Sequence, residues 1–305
     1  MGKQSFLSRL KRQLPLQMMV WPGLIFMIIF CYLPIYGLSV AFKRYTVVDT
    51  IQNAPWVGLE NFRIAFTDSF FWASVVNTLG ISLLKLLISF PLPIFIAVLI
   101  SELKTGRFKR VVQTVSYLPH FLSWVVLGGI VINALSTTGI FSTLMQGLGL
   151  IDRPVNYLVQ QEKYWMIAVL SDVWKETGWN TILYLAVITG IDPTYYEAAR
   201  IDGAGKLRQI WNITLPLMRR IVALNFVLTI GGLLGSNLDQ TLVLMNSLNR
   251  PRAEVINSYV FSIGLAQGDF SYATAVGLAI SLVSLVLVLS ANAVTKRLNH
   301  DESIF

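Results

Sequence analysis

The sequence predicts an all-α protein that crosses a lipid bilayer several times. Hydrophobic residues make up 54% of the 305 residues and charged residues only 13%, and the mean hydropathy is +0.62. Soluble proteins contain roughly 25% charged residues. Apolar runs close to the length of ~20 residues that spans a bilayer as a helix recur along the whole chain. They leave no soluble stretch long enough for a separate core, so one membrane domain is predicted.

The apolar runs predict six membrane spans within a domain that covers residues 18–295. The first run shows no small-residue cleavage site, so it is predicted to be a retained span rather than a signal peptide. Residues 1–17 and 296–305 are predicted to be short cytoplasmic segments. The predicted spans lie at 18–42, 76–100, 111–135, 165–190, 217–236 and 273–295.

The distribution of basic residues predicts the orientation of these spans. With the N-terminus inside, 15 Lys and Arg residues fall in inside segments and 7 in outside segments, while Lys85 and Lys175 fall within spans. Inside loops carry the excess of basic residues in membrane proteins, so both termini are predicted to be cytoplasmic. The same short blocks account for the net charge of +8. They are typical of topology determinants, and we expect no nucleic-acid partner.

Residues with catalytic or metal-binding potential are sparse. Cys31 is the single cysteine, which excludes a disulfide framework and a multi-cysteine metal site. His120 and His300 are too few and too far apart in the sequence for a histidine-rich site. The sequence has neither a Walker A motif nor an H-E-x-x-H pattern. We therefore expect no catalytic residue, no metal and no cofactor in this chain, and any ATP must be hydrolysed by another subunit.

The loop over about 191–216, between spans four and five, is longer than a simple connection requires. Asp192 is a predicted helix N-cap, with Pro193 at the first helical position, where its missing N–H costs nothing. Gly203 and Gly205 allow a sharp reversal after about two turns. A second short helix is predicted from Lys206 to Ile213, before Leu215 and Pro216 open the fifth span. Two short helices that expose small side chains predict a surface that docks on a partner.

A resemblance to a known family comes from this loop. The pattern E-A-A-x-x-D-G-A-x(8)-I-x-L-P, from Glu197 to Pro216, resembles the EAA loop of ABC importer permeases, in the form of the carbohydrate importers of the maltose-permease type. Motifs similar to the oligosaccharide subgroup are F-x-Y-L-P-x-Y-G-x-x-x-A-F from Phe30, G-L-E-N-F from Gly58, F-P-L-P-I from Phe90, S-Y-L-P-H-F-x-S-W-V from Ser116 and W-K-x-x-G-W-N from Trp174. The resemblance covers about residues 20–295.

The resemblance implies the type I ABC importer permease fold, with six transmembrane helices and a cytoplasmic coupling helix. It implies a second related permease, an ATPase dimer that holds ATP and Mg²⁺, and an extracellular or periplasmic solute-binding protein that delivers an oligosaccharide. It also implies a place in the bacterial cytoplasmic membrane. The residues implied to couple to the ATPase are Glu197, Ala198, Ala199, Arg200, Asp202, Gly203, Ala204 and Gly205.

Polar and aromatic residues within the spans are candidates for the substrate path, because polar side chains inside a bilayer usually face the interior of the bundle. Asp172, Lys175 and Glu176 share one helix face, so Lys175 either neutralises one of these acids or meets a carboxylate on the substrate. The aromatic residues either stack on sugar rings or pack the bundle. The candidates are Tyr117, Trp124, Trp174, Lys175, Trp179, Asn180, Tyr184, Asn225, Asn237, Asp239 and Gln240.

Other interpretations stay open from the sequence. Lys85 could attract an anionic substrate, extend its charged end to the membrane–water interface or pair with a residue of the second permease. Pro119 predicts a kink, beside which His120 either satisfies freed backbone carbonyls or binds a ligand. The chain as a whole could instead be a transporter driven by an ion gradient, with Asp172 and Glu176 as its ion site, or a membrane scaffold or sensor that transports nothing.

Overall fold

A computed structural model of the chain describes residues 6–235 and 238–298. These residues form two compact units, the first made of 6–67 and 262–279 and the second of 68–235, 238–261 and 280–298. Within the described ranges the secondary structure is helical, and the β-structure is limited to an isolated bridge between Lys43 and Trp56. The predicted all-α fold is confirmed.

The first unit contains helix α1 (Phe6–Met27), which continues through a π-helical turn, Ile28–Tyr32, into a 3₁₀ segment, Leu33–Phe42. Pro34 at the start of that segment cannot donate a backbone hydrogen bond, which explains the change of helical register. Helix α2 (Glu60–Thr67) follows a loop that Asn61 holds in place. The Asn61 amide donates to the carbonyls of Ala41 at 2.8 Å and Lys43 at 2.9 Å.

The second unit is organised around one long central helix, α8, which packs against α3, α4, α5, α11 and α12. One apolar cluster surrounds Tyr164 and Leu244, and another surrounds Tyr184 and Met218. The helices after α2 are α3 (Ser69–Ile88), α4 (Pro91–Glu102), α5 (Arg107–Tyr117), α6 (Trp124–Leu135), α7 (Ile140–Gly147), α8 (Tyr164–Thr189), α9 (Pro193–Ile201), α10 (Lys206–Gln209), α11 (Leu215–Gly231), α12 (Leu238–Leu244), α13 (Arg250–Ala253), α14 (Ile256–Phe261) and α15 (Phe270–Leu298).

Five helical segments of the described chain are long and apolar enough to cross a membrane. The predicted fourth span corresponds to α8, which has 26 residues and a length of about 39 Å at the rise of an α-helix. Its charged residues Asp172, Lys175 and Glu176 place it outside the apolar set. The five apolar segments are Leu16–Phe42, Ser69–Glu102, Trp124–Gly147, Lys206–Gly231 and Phe270–Lys296.

The third predicted span, 111–135, is wrong in its limits. The kink predicted at Pro119 is a full interruption of the helix, because a 3₁₀ turn, Leu118–Phe121, separates α5 from α6. The apolar segment in this region is Trp124–Gly147 instead. Helix α5 starts with basic residues and is strongly amphipathic in sequence, so it lacks the continuous apolar surface of a span.

The second short helix predicted at Lys206–Ile213 is not a separate element. Helical structure runs without a break from Lys206 to Gly231, through a π-helical turn at Ile210–Thr214. Pro216 has no N–H to donate to the preceding turn, and the wider turn, in which the Leu215 N–H donates to the Ile210 carbonyl, accommodates it. The fifth span therefore begins about ten residues earlier than predicted and includes the end of the 191–216 loop.

Candidate functional site

A polar cavity of about 300 Å³ lies within the second unit, among α3, the start of α4, α8 and α11. Its volume is at the lower end of the range of ~300–1,000 Å³ that is typical of ligand pockets. The apolar part of the lining includes Leu86, Phe90 and Leu233. The polar side chains that line the cavity are Ser82, Lys85, Ser89, Asp172, Glu176, Asn180, Tyr184, Asn225 and Thr229.

Lys85 and Asp172 form an ion pair on one side of this cavity. The Lys85 Nζ lies 2.7 Å from Asp172 Oδ1 and 3.0 Å from Gln240 Oε1. The Gln240 amide donates in turn to the Ala168 carbonyl at 2.6 Å and to Ser171 Oγ at 2.8 Å. Gln240, which was predicted to line the substrate path, is 1% exposed and connects α12 with α8. Asp172 therefore pairs with Lys85 on another helix, and the predicted alternatives for Lys85 did not include this partner.

Lys175 and Glu176 belong to a second group of charges. The Lys175 Nζ donates to the His120 carbonyl at 2.6 Å and lies 3.3 Å from Glu176 Oε1. Glu176 Oε2 lies 2.7 Å from His120 Nδ1, so the lysine and the histidine hold the carboxylate between them. Trp179 stacks on the His120 ring with 4.4 Å between ring centroids, and the Trp124 ring lies 5.9 Å from the Lys175 Nζ. The proline-broken turn between α5 and α6 is thus fastened to α8 by charged and aromatic contacts.

Three of the predicted path residues line the cavity together. The Tyr184 hydroxyl accepts a 2.7 Å hydrogen bond from the Asn225 side chain, which joins α8 to α11. Asn180 lies one turn from Tyr184 on the same helix and is exposed to the cavity. Ser89 also lines it, and its buried hydroxyl has no hydrogen-bond partner among the described residues. A single serine in an apolar run carries no signal in the sequence, which is why the sequence analysis missed it.

The remaining predicted path residues lie elsewhere. Trp174 lines a separate apolar cavity of about 410 Å³ between α6, α7 and α8. Tyr117 ends α5 and is half-buried, and Asp239 is exposed in the first turn of α12. Asn237 lies outside the described residues.

The predicted docking loop contains α9 and the turn that follows it. Asp192 caps α9 as predicted, because its carboxylate accepts a 2.9 Å hydrogen bond from the Thr194 N–H, and this bond lowers the Asp192 pKa from its ordinary value. Gly203 has φ of +77°, the left-handed conformation that glycine tolerates best. Gly205 has φ of −67° and needs no such freedom. The sequence therefore predicted the helix start and the position of the reversal correctly.

The surface of this loop carries both polar and apolar side chains and is largely exposed. Helix α9, which carries Glu197, Ala198, Ala199 and Arg200, has no buried residue, and Asp202, Gly203 and Gly205 are exposed in the turn. Ala204 is half-buried, and its carbonyl accepts a 2.8 Å hydrogen bond from the Gln209 side chain. Large apolar side chains are also exposed here: Tyr195, Ile201, Leu207 and Trp211.

The same loop is anchored firmly to the helices beneath it. Lys206 forms an ion pair with Glu102 at the end of α4. The Tyr196 hydroxyl and Thr214 Oγ1 share a 3.0 Å hydrogen bond, which joins α9 to the start of the fifth span. These contacts join the loop to α4 and to the continuous helix that becomes α11, and both helices contribute to the lining of the polar cavity.

Comparisons with known proteins agree over nearly the whole chain. Residues 89–300 match the family described as "Binding-protein-dependent transport system inner membrane component". The polygalacturonan/rhamnogalacturonan transport system permease protein YteP of Bacillus subtilis (strain 168) is 39% identical over 98% of this chain and 93% of its own length. Protein LplB of the same organism is 37% identical over 97% of this chain and 93% of its own length.

A solved structure shares the fold. A chain from the crystal structure of a bacterial ABC transporter involved in the import of the acidic polysaccharide alginate superposes with a TM-score of 0.89 and 35% identity. The match covers 96% of this chain and 99% of that chain. Together with the multi-pass helical architecture, these matches show that the chain belongs to the family of inner-membrane permease components of binding-protein-dependent ABC transport systems.

Proposed function

We propose that this chain forms, with a second related permease, the membrane path of an oligosaccharide importer. The observation that carries the proposal is the polar cavity among α3, α8 and α11, in which hydroxyl, amide and carboxylate groups converge inside a bundle of otherwise apolar helices. Such groups are costly within a bilayer unless they face a polar cavity, and they match the hydroxyl groups of a sugar. The sugar transport systems named among its relatives support the same substrate class.

The energy for transport comes, in this proposal, from ATP that a partner ATPase dimer binds with Mg²⁺. The exposed surface of α9 and its following turn, from Glu197 to Gly205, is the docking surface for that ATPase. Its anchors to Glu102 and Thr214 would transmit a movement of the ATPase to α4 and α11. This chain itself binds no nucleotide and acts as a non-catalytic subunit.

The distribution of the basic residues supports an orientation with both termini inside, and the five apolar segments of the described chain together with α8 support an even number of spans. Both termini and the α9 loop face the cytoplasm of a bacterial cell, and an extracellular or periplasmic solute-binding protein delivers the sugar to the opposite side. Single cysteines at Lys206 and at Gln267, in a Cys31→Ser background, test this topology in intact cells. An impermeant thiol reagent should label only position 267, and labelling at position 206 would invert the orientation.

Purification of the tagged chain from its own membrane, followed by reconstitution, tests the function. We expect a second permease and an ATPase to co-purify, and the complex in proteoliposomes should take up oligosaccharide in the presence of the binding protein and ATP. A chain that purifies alone and imports its substrate on an ion gradient without ATP would contradict the proposal. So would a complex without any solute uptake.

The coupling role has a separate test in the same proteoliposomes. Glu197→Lys reverses a charge on the exposed face of α9, far from the cavity, so the complex should assemble while ATP hydrolysis no longer drives uptake. Lys163→Glu, a charge reversal at the last residue of the 3₁₀ turn Gln161–Lys163 that precedes α8, is the control outside the α9 loop. Normal uptake and normal substrate-stimulated hydrolysis in the Glu197→Lys complex would remove this loop from the mechanism.

A further inference from the structure

The charges that line the polar cavity are two acids and one base. Of the described lining residues, Asp172 and Glu176 carry negative charge and Lys85 carries positive charge. Lys85 compensates Asp172, and Lys175 compensates Glu176, so no cation of the described lining is left to pair with a substrate carboxylate. This balance matters because the relatives named for polygalacturonan and alginate transport act on acidic polymers, for which an uncompensated lysine in the cavity would be the expected partner.

The ammonium group of Lys85 is already bound within the chain and is therefore not that partner. Asp172 Oδ1 at 2.7 Å and Gln240 Oε1 at 3.0 Å both contact it. Gln240 cannot turn aside, because its own amide is bound to the Ala168 carbonyl and to Ser171 Oγ. Lys85 is also largely buried, with 12% of its side chain exposed. Its charge is therefore compensated within the chain whether or not a substrate is present.

The polar groups that remain fit hydroxyl groups better than carboxylates. An ionised carboxylate only accepts hydrogen bonds and can accept several. Asp172 and Glu176 can therefore each accept a further hydrogen bond, which a sugar hydroxyl donates and a uronate carboxylate does not. Asn180 makes no side-chain hydrogen bond within the described part of the chain, and the buried Ser89 hydroxyl has no partner there. Both can donate to and accept from a hydroxyl group on a sugar ring.

We infer that the cavity wall formed by this chain binds the uncharged, hydroxyl-bearing faces of sugar residues and disfavours a uronate carboxylate, with Lys85 as a positioning residue for Asp172. The inference rests on the proposed function and specifies its substrate chemistry. If the natural substrate is acidic, its carboxylates face away from this wall while its ring hydroxyls meet Asp172, Glu176 and Asn180.

The test compares uptake of two matched probes by the complete transporter in proteoliposomes with its binding protein. One probe is an α-linked trigalacturonate, and the other is its carboxyl-reduced, neutral counterpart. The readout is the ratio of acidic to neutral uptake relative to that of the wild type, so the preference of the binding protein cancels. Assembly of each variant is checked by co-purification of the other subunits.

Asp172→Asn removes the carboxylate that compensates Lys85 and adds one positive charge to the cavity wall. We expect the acidic-to-neutral ratio to rise by about tenfold, since opposite charges attract and like charges repel strongly at close range in such sites. Lys85→Gln leaves the charge of Asp172 uncompensated, and the ratio should fall below that of the wild type.

The double variant Lys85→Gln/Asp172→Asn is decisive, because it restores the net charge of the wild-type wall with a neutral pair of similar shape. We expect its ratio to return to within about twofold of the wild type. A ratio that stays as low as in Lys85→Gln would show that Lys85 itself binds the substrate carboxylate, and would overturn the inference. The double variant keeps this test available even if Asp172→Asn alone does not assemble.

The two proposals fail in different ways. A wild-type complex that takes up neither probe nor any other oligosaccharide overturns the proposed function and this inference together. Intact wild-type uptake with a low ratio in the double variant overturns only the assignment of the cavity wall.

Discussion

Gly178 on α8 is, among the described glycines, the one where an added methyl group would meet backbone atoms at the shortest distance. A Cβ atom at this residue would lie 1.8 Å from the Ser116 carbonyl oxygen and 2.4 Å from the Ser116 carbonyl carbon on α5. An ordinary van der Waals contact begins near 3.4 Å, so the two helices would have to separate by about 1.6 Å, the difference between the two distances. The obstacle is backbone, which cannot change rotamer to make room.

The cost of Gly178→Ala follows from this geometry. Overpacking a tight contact costs typically ~1–3 kcal/mol, and small residues are what allow membrane helices to approach closely. At ~2–4 °C per kcal/mol for a domain of this size, the melting temperature should fall by about 2–12 °C. The same separation would pull His120 away from Lys175 and Glu176, whose contacts are 2.6 Å and 2.7 Å long. Transport should therefore fall together with stability.

Thermal unfolding of the purified complex in detergent, followed by fluorescence-detected size exclusion, measures this effect. Gly129→Ala is the matched control, since a Cβ there meets no atom within 4 Å and the residue also lies in a helix. Alanine is preferred over glycine in helices by about 1 kcal/mol, so the control should be as stable as the wild type or slightly more stable. Equal melting temperatures for the two variants would show that α5 and α8 do not approach as described.

Further predictions concern the docking loop and the second group of charges. Gly203→Ala forces a φ of +77° on a residue with a Cβ atom and should destabilise the turn by about 1–2 kcal/mol, which weakens the coupling of ATP hydrolysis to uptake. Gly205→Ala, at φ of −67°, should leave the stability of the turn unchanged, and equal destabilisation by the two changes would contradict the role of the Gly203 backbone conformation. The folded-state pKa of Asp192 is lowered by its bond to the Thr194 N–H, so the stability that this cap gives is fully present above the ordinary pKa of 3.8 and is lost as the pH falls through the lowered pKa. Hydrogen exchange of the α9 amides, corrected for intrinsic rates, should show this loss. Asp192→Asn should abolish the pH dependence. Lys175→Gln should lower the melting temperature and reduce uptake of acidic and neutral sugars alike, because it removes charged hydrogen bonds worth about 1.5–3 kcal/mol. A selective loss of acidic-sugar uptake at an unchanged melting temperature would mean that Lys175 contacts the substrate.

The sequence predicted the local features of the docking loop well because each depends on a few neighbouring residues. Asp192 and Pro193 begin a helix wherever the following residues allow one, and Gly203 takes a left-handed conformation where the chain reverses. The second helix was mispredicted because of another local feature, the π-helical turn that precedes Pro216. A proline inside a helix normally signals a break, whereas the π-helical turn at Ile210–Thr214 lets the helix continue past Pro216.

The candidate cavity was only partly predictable. Asn180, Tyr184 and Asn225 were expected because polar or aromatic residues in an apolar span signal a polar interior, and all three line the cavity. Trp174 has the same signal and lines a different, apolar cavity, since a rotation of about 100° per residue along α8 directs neighbouring side chains to different surroundings. Helical spacing identifies which residues share a face and does not identify what that face contacts.

Composition, the spacing of apolar runs and the residues of one loop were enough to determine that this chain is a helical membrane protein with a capped loop between its fourth and fifth spans. Both properties arise from the transfer of side chains out of water and from hydrogen bonds between near neighbours. The pairing of charges was decided only by the tertiary structure. Asp172 bonds to Lys85, 87 residues away, rather than to Lys175 on its own helix. In a bilayer a buried charge needs a partner at hydrogen-bond distance, and the rotation and packing of the helices determine which residue provides it.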